Sequence, residues 1–159
     1  MIFHPPPHPL PNIQGYEDLA PGQRFALGAV TIERPDIFEF AAIYDPQPFH
    51  LDEAEAERSI FRGLAASGFQ STAAAFSVSV RSGLLAGINL GGSGIDAIRW
   101  LRPVRPDDRL ELVWTIEEIT ATKPGRAAVR IRYDVSNAAG EPVLSCLINH
   151  LIRSRVAPG

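Results

Sequence analysis

Asp45 and His50 carry side chains that can act together as an acid–base pair. They stand five positions apart in the stretch DPQPFH, where two prolines restrict the backbone between them. A stiffened turn can direct both side chains to one point, whereas five positions along a helix would place them on different faces. A carboxylate and an imidazole placed together can hold a water molecule and share general acid–base work near neutral pH. The simpler alternative is an aspartate that caps a helix, with a histidine packed over it.

Ser67 and Gly68 form the second candidate site. They open a run of small and apolar residues that extends to residue 86, long enough for a helix of about five turns. The first N–H groups of a helix lack intrahelical acceptors and carry partial positive charge, so the Gly68 amide could polarise a carbonyl oxygen as an oxyanion hole does. Glycine also lacks the side chain that would block a close approach. The alternative is that Ser67 is an N-cap with no further role.

Helices must position both candidates. Residues 36–44 carry apolar side chains at helical spacing, and this helix must end by Asp45 because a proline follows. Residues 51–59 are acidic early and basic late, which matches the dipole of a second short helix. Residues 68–86 carry one charged side chain, so we expect this long helix to be buried on nearly all sides.

Strand patterns account for most of the remaining chain. Strands are predicted at residues 23–33, 94–101, 109–119, 126–136 and 142–153, and the turn NAAGE joins the last two. The stretch NLGGSG at residues 89–94 lacks the ending of a phosphate-binding loop, and we expect a flexible bend there. This order predicts an α+β hot-dog fold, in which a curved antiparallel sheet wraps a long central helix. We expect one such domain at residues 13–159, preceded by a proline-rich extended arm at residues 1–12.

Composition excludes several classes of partner. The net charge of −3 gives no electrostatic basis for binding nucleic acid. No stretch approaches the roughly 20 apolar residues of a membrane span, and the N-terminus does not resemble a secretory signal. Cys146 is a lone cysteine within an apolar run, expected to be an inert buried thiol in a reducing compartment. We therefore expect a cytoplasmic protein with no nucleic-acid or membrane partner. His4 and His8 have no partner ligands nearby, so no metal site is expected.

Residues 40–56, FAAIYDPQPFHLDEAEA, resemble the signature of MaoC-like dehydratases and R-specific enoyl-CoA hydratases. Four positions match that signature in type and spacing: Asp45, Pro48, His50 and Ala56. The family's next segment, F-x-G-x-x-x-x-H-G, is matched by Phe61, Gly63, Ser67 and Gly68, except that Ser67 stands where His is usual. Residues 99–110 resemble the family's PV-x-PGD stretch, with Asp107 in place of Gly. The resemblance runs from about Tyr16 to Arg153.

Two more departures lie close to the pair. Gln47 replaces the usual Asn, so any hydrogen bond that it makes to order the turn must be re-aimed. Tyr44 replaces a Gly just before Asp45 and is expected to add bulk at the pocket edge. Either change could shift the substrate range, so Tyr44 and Gln47 join Ser67 and Gly68 as candidate oxyanion or substrate-binding residues.

The resemblance implies a hydro-lyase that reversibly adds water across the α,β double bond of an enoyl thioester, with enoyl-CoA the expected substrate. It implies that Asp45 and His50 hold the water, that the Gly68 amide binds the thioester oxygen, and that no cofactor is needed. Which of the pair is acid and which is base stays open. The resemblance also implies a homodimer or higher homo-oligomer, with the substrate tunnel at the interface. Most of five arginines are expected to be solvated rather than bound to a CoA phosphate: Arg81, Arg99, Arg102, Arg105 and Arg109.

Two other functions compete with this interpretation. Hot-dog acyl-CoA thioesterases usually carry an acidic residue on or near the central helix, and residues 68–86 contain neither Asp nor Glu. A non-catalytic acyl-binding or assembly subunit would be consistent with the departures at Gln47 and Ser67. The presence of both Asp45 and His50 argues against it, because a binding module does not need an acid–base pair.

Overall fold

The computed structural model describes residues 1–156 and contains one six-stranded antiparallel sheet, ordered β1-β2-β4-β5-β6-β3. The strands are β1 (Ile2–His4), β2 (Arg24–Thr31), β3 (Asn89–Trp100), β4 (Arg109–Lys123), β5 (Arg126–Ser136) and β6 (Pro142–Arg153). The helices are α1 (Arg34–Tyr44), α2 (Pro48–Leu51), α3 (Glu53–Arg58) and α4 (Gly68–Arg81), and Tyr16–Asp18 forms a 3₁₀ turn. The α+β hot-dog arrangement predicted from the sequence is confirmed.

The sheet buries one face against α4. Every second residue of β5 is buried, because successive side chains of a strand point to opposite faces. Trp114 of β4 and Tyr133 of β5 are the largest fully buried side chains, and their rings lie 5.2 Å apart. The small residues Ala74 and Ala75 of α4 are buried in the same core, which allows helix and sheet to approach closely.

The helix α4 is less buried than predicted. Its sheet-facing side is buried, but Phe69, Phe76 and Val80 on the opposite side remain 60%, 40% and 61% exposed. The expectation of burial on nearly all sides is therefore wrong for the single chain, because the sheet covers only one side of the helix. The helix also ends at Arg81 rather than at residue 86, since Gly83 turns the chain with a φ of +75°.

The glycine-rich stretch at residues 89–94 is part of β3 and not a bend before it. It pairs with β6 from Asn89 opposite Ile152 onward, with register shifts that accommodate the extra residues. The prediction was wrong here because pairing with a strand some sixty residues later overrides the low strand propensity of glycine. β3 lies at the edge of the sheet, where its other side has no partner strand among residues 1–156.

The proline-rich arm contributes an edge strand to the sheet. Its residues Ile2–His4 form β1 and pair antiparallel with β2. The guanidinium of Arg81 lies 4.0 Å from the centre of the Phe3 ring, a cation–π contact that joins the arm to the end of α4. None of the helices described has the length and apolar character needed to cross a membrane.

Candidate active site

Asp45 lies at the point where α1 ends. Its N–H still donates to the carbonyl of Ala41 at 3.1 Å, as in a helix, but its backbone leaves the helical region because Pro46 follows. The prediction that the helix ends here is confirmed. The side chain is partly buried and points toward the start of α4.

His50 lies on the one-turn helix α2 rather than in the irregular turn predicted. Pro48 is its first residue, a position where the missing N–H costs nothing. The carbonyl of Gln47 accepts from the His50 N–H at 2.9 Å, and the Gln47 N–H donates to the carbonyl of Asp45 at 2.7 Å. These two bonds bring the pair together within a compact backbone turn.

The His50 ring is buried and held in one orientation. Its Nδ1 lies 2.7 Å from the carbonyl oxygen of Ala65, and a carbonyl can only accept, so Nδ1 carries the proton. In the neutral ring, Nε2 then presents its lone pair, 3.5 Å from Asp45 Oδ2. The Phe61 ring stacks on the imidazole with ring centres 6.0 Å apart, and the Phe49 ring packs against it edge-on with centres 4.7 Å apart. The pair thus offers two adjacent acceptors that one water molecule can bridge.

Ser67 joins Asp45 to the start of α4. Its hydroxyl donates to Asp45 Oδ2 at 2.6 Å and accepts from the N–H of Phe69 at 3.2 Å, so it is the N-cap of α4 as well as a partner of the carboxylate. The residue is fully buried. Its capping role is evident from the sequence, whereas the contact with Asp45, 22 positions earlier, has no local signal.

Gly68 is the first residue of α4, and no hydrogen bond within residues 1–156 uses its N–H. The positive end of a 14-residue helix dipole lies at this amide. The indole of Trp100 packs directly over the glycine, and a Cβ added to Gly68 would lie 2.5 Å from two ring carbons. Only glycine fits at this position without displacing Trp100.

Asp45, His50 and Gly68 line a single cavity of about 280 Å³. Most of the remaining wall is apolar or aromatic, and it includes Phe69 and Trp100. The structure therefore brings together the three residues to which the sequence assigned the water and the thioester oxygen, and Ser67 stands directly behind Asp45. Residues that carry a carboxylate, an imidazole nitrogen and an amide without a partner within residues 1–156 thus surround one largely apolar cavity, and such a set can activate water beside a polarised carbonyl.

Tyr44 and Gln47 are not brought into this cavity. Tyr44 packs on Phe40, with ring centres 4.9 Å apart, and remains 69% exposed. Gln47 is exposed, and it orders the turn through its backbone groups. The expectation that Tyr44 narrows the pocket edge is not met in the single chain.

Arg105 supports the site, although no pattern in the sequence indicates this role. Its guanidinium donates to the carbonyl oxygens of Gly63 at 2.7 Å and Leu64 at 3.1 Å, and also to that of Phe61. It therefore holds the loop that places the Phe61 ring on His50. Among the five arginines, most of which were expected to be solvated, Arg105 is bound to backbone carbonyls instead. Its partners are backbone atoms some forty positions earlier, which leave no pattern in the sequence.

Comparisons with known proteins show the family of this chain. The family model for the MaoC-like domain matches residues 18–139. The uncharacterised protein YdeM of Bacillus subtilis is 33% identical over 105 residues, which are 66% of this chain and 72% of that protein.

Two solved structures share the fold over most of their length. The MaoC-like dehydratase from Rhodospirillum rubrum has a TM-score of 0.83 and 39% identity, covering 89% of this chain and 98% of the other. The R-hydratase PhaJ1 from Pseudomonas aeruginosa has a TM-score of 0.69 and 28% identity, and the match covers 88% of this chain and 85% of PhaJ1. These likenesses support hydratase or dehydratase chemistry. The chain belongs to the MaoC-like dehydratase family.

Proposed function

We propose that this protein is a hydro-lyase that reversibly adds water across the α,β double bond of an enoyl thioester, with enoyl-CoA as the substrate. The observation that carries the proposal is the convergence of Asp45, His50 and the free Gly68 amide on one cavity. A binding module would need an acyl pocket, but it would not need a carboxylate and an imidazole nitrogen 3.5 Å apart beside that pocket.

The reaction begins with a water molecule held between Asp45 Oδ2 and His50 Nε2. The water oxygen forms a bond to the β-carbon of the enoyl group while one of its protons passes to the acid–base pair. The electrons of the double bond move toward the thioester carbonyl, and the α-carbon then receives a proton from the pair. One water molecule is added in total, and the pair returns to its starting protonation state.

The hydrogen bond to Ala65 supports a role for His50 as the proton acceptor. With its proton held on Nδ1, the neutral ring has only Nε2 to offer, and that atom can accept a proton from water and return it to carbon. Asp45 then orients the water, while Ser67 keeps one of its oxygens in place. This assignment predicts that Asp45→Asn retains more activity than His50→Ala.

The Gly68 amide is proposed to stabilise the enolate. Negative charge builds on the thioester oxygen as water adds, and a fixed N–H at a helix N-terminus stabilises that charge without having to reorganise. Losing one such donor typically costs about 100- to 1,000-fold in rate.

A homodimer is part of the proposal. Phe69, Phe76 and Val80 form an exposed apolar stripe along α4, and the adjacent edge strand β3 exposes Ile95 and Trp100. Burying such a stripe together with an open sheet edge favours self-association. Light scattering at micromolar concentration is expected to give the mass of a dimer or a higher assembly. A monomer would contradict this part of the proposal alone.

The decisive assay follows the loss of enoyl absorbance with crotonyl-CoA and with longer and branched enoyl-CoA esters. Asp45→Asn and His50→Ala are expected to abolish or strongly reduce hydration while keeping the circular dichroism of the wild type. Glu39→Gln and His8→Ala replace an exposed carboxylate and an exposed imidazole that do not line the cavity, and they serve as matched controls. If both site variants hydrate the substrate at the wild-type rate, the proposal is wrong. Release of free thiol would indicate a thioesterase instead.

A further inference from the structure

The indole of Trp100 occupies the space beside the Gly68 amide. It stands where a side chain of Gly68 would project, since an added Cβ would lie 2.5 Å from two of its ring carbons. Because a Cβ stands about 2.5 Å from the nitrogen of its own residue, those ring carbons lie within about 5 Å of the Gly68 nitrogen. Trp100 also lines the cavity of Asp45 and His50, and it is the largest side chain of that wall.

The hydroxyl of Thr72 holds the indole in this position. Thr72 lies about one turn along α4 from Gly68, and its hydroxyl donates its single proton to the Gly68 carbonyl at 2.8 Å. The oxygen therefore has only lone pairs to offer Trp100, whose indole Nε1–H donates to it at 3.2 Å. An indole has one N–H and no acceptor, so this bond uses its full hydrogen-bonding capacity. One hydroxyl thus joins the ring of Trp100 to the first turn of α4.

Trp100 combines a fixed backbone with a side chain that is half exposed. Its backbone pairs with Leu144 of β6 at the end of β3. The ring packs edge-on against Phe69 with ring centres 5.2 Å apart, and the residue remains 49% exposed in the single chain. The side chain can therefore turn away from Gly68 without disturbing the sheet, and the hydrogen bond to Thr72 opposes that movement.

The position of the ring bears on the carbon next to the thioester carbonyl. Under the proposed function, the carbonyl oxygen accepts from the Gly68 N–H at about 2.9 Å. The α-carbon of the acyl group is only two bonds from that oxygen, whereas the end of a long acyl chain is many bonds away. A methyl group on the α-carbon thus competes with the Trp100 ring for space, and a linear enoyl chain carries only a hydrogen atom there. The sulfur on the other side of the carbonyl is the same in every thioester.

We infer that Trp100, held in place by Thr72, selects linear acyl thioesters over those branched at the α-carbon. Trp100 is then a specificity-determining residue, and Thr72 is the residue that positions it. The inference rests on the part of the proposed function that places the thioester oxygen at the Gly68 amide. A site that rejects one added methyl group discriminates by about 10- to 200-fold. Because the rejecting ring can move, we expect a preference of about tenfold.

The test compares the affinities of butyryl-CoA and 2-methylbutyryl-CoA by isothermal titration calorimetry. The two esters differ by one methyl group on the α-carbon, and neither has a double bond, so neither is hydrated. Wild type is expected to bind butyryl-CoA about tenfold more tightly, and Trp100→Ala should lose this preference. Isovaleryl-CoA is an isomer of 2-methylbutyryl-CoA with its branch on the β-carbon, and its affinity relative to butyryl-CoA should not change in Trp100→Ala. In hydration, kcat/KM should favour crotonyl-CoA over its 2-methyl derivative, tiglyl-CoA, by a similar factor.

Thr72→Val tests the positioning role. Valine has the shape of threonine and a similar helix propensity, but it cannot accept a hydrogen bond from the indole. Losing one neutral hydrogen bond shifts an equilibrium by about fivefold, so the preference should fall from about tenfold to about twofold. Thr72→Ser keeps the hydroxyl and should keep the wild-type preference. Thr120→Val, at an exposed threonine that does not line the cavity, is the matched control.

Nuclear magnetic resonance reports directly whether Thr72 holds the ring. The chain has two tryptophans, so the indole N–H of Trp100 is read beside that of the buried Trp114. In Thr72→Val, the Trp100 N–H should exchange with solvent faster than in wild type, while the exchange of Trp114 stays the same. Thr72→Ser should resemble wild type. An unchanged exchange rate of Trp100 in Thr72→Val would overturn the inference.

Two results of the binding experiment would also overturn the inference: equal affinity of wild type for butyryl-CoA and 2-methylbutyryl-CoA, or a preference that survives in Trp100→Ala. Either failure is distinguishable from a failure of the proposed function. If wild type hydrates crotonyl-CoA but does not discriminate against the methyl group, only the selection by Trp100 is wrong. If it discriminates between the saturated esters but hydrates no enoyl ester, the proposed reaction is wrong and the selection stands.

Discussion

Substitutions of Gly68 test the oxyanion assignment, and the simplest of them, Gly68→Ala, creates a clash that the structure defines. The new Cβ would lie 2.5 Å from two carbons of the Trp100 indole, closer than such atoms are found in proteins. Trp100 is 49% exposed at the end of an edge strand, so we expect the indole to swing outward while the helix stays in place. The fold is therefore expected to survive the substitution.

The stability cost follows from what Trp100 loses. Its Nε1–H donates to the hydroxyl of Thr72 at 3.2 Å, and its ring packs edge-on against Phe69 at 5.2 Å. A neutral hydrogen bond and an aromatic contact each contribute about 1 kcal/mol, so Gly68→Ala is expected to lower the free energy of unfolding by about 2 kcal/mol. In a Trp100→Ala background, the same substitution should cost nothing, because the clash is gone and alanine favours the helix.

Hydration kinetics then separate folding from chemistry. In the Trp100→Ala background, Gly68→Pro removes the N–H itself, at a first helical position that tolerates proline and after a Ser67 backbone that is already extended. We expect kcat/KM to fall by about 100-fold while stability is unchanged. If Gly68→Pro/Trp100→Ala is as active as Trp100→Ala alone, the N–H of Gly68 is not required, and the oxyanion assignment is wrong.

Four further predictions concern the supporting residues. Ser67→Ala removes both the cap of α4 and a hydrogen bond to the Asp45 carboxylate. In chemical denaturation it should lower the free energy of unfolding by about 3 kcal/mol, whereas Ser71→Ala, at a nearby buried serine, should lower it by less. Arg105→Met removes the hydrogen bonds that hold the loop carrying Phe61, so it should lower kcat about tenfold with little change in KM. Arg109→Met, at an exposed arginine, should leave kcat unchanged. Asp107 has a φ of +68°, a conformation that glycine adopts more easily than aspartate. Asp107→Gly should therefore raise the free energy of unfolding by up to about 1 kcal/mol, seen as a higher thermal midpoint. An unchanged midpoint would show that the backbone at Asp107 is not strained. Burial lowers the pKa of His150 from 6.5 to about 4, so between these pH values the unfolded chain binds a proton that the folded chain does not. The free energy of unfolding of the wild type should therefore fall by about 3 kcal/mol between pH 6.5 and pH 4. Chemical denaturation of His150→Phe should not show this loss.

Local chemistry made much of the fold predictable. A proline directly after Asp45 ends α1, and the alternation along β5 and β6 predicts both strands to within a residue. Both features depend on neighbours in the chain. The start of α4 at Gly68 was predicted for the same reason, because the Ser-Gly pair combines a capping side chain with a residue that permits close approach.

Long-range contacts account for what the sequence did not reveal. The stretch at residues 89–94 became a strand because β6 pairs with it, and α4 kept an exposed side because one sheet covers only one face. In the site, the bond from Ser67 to Asp45 and the clamp of Arg105 join residues 22 and about 40 positions apart. The one-turn helix at His50 was missed because Pro48 both stiffens a turn and starts a helix.

Ser67 explains how this chain can depart from the usual family residue at that position and keep a compact site. A hydroxyl donates one proton and accepts another, so Ser67 can hold Asp45 and cap α4 at the same time. The carboxylate and the Gly68 amide are thereby tied to one side chain, and their relative position does not depend on Gln47 or Tyr44, which lie outside the cavity. The cavity wall, by contrast, includes Phe69 and the half-exposed Trp100, whose rings can shift without disturbing that link. Substrate range is therefore expected to follow Phe69 and Trp100, and exchanging Gln47 for Asn should leave the chain-length preference unchanged.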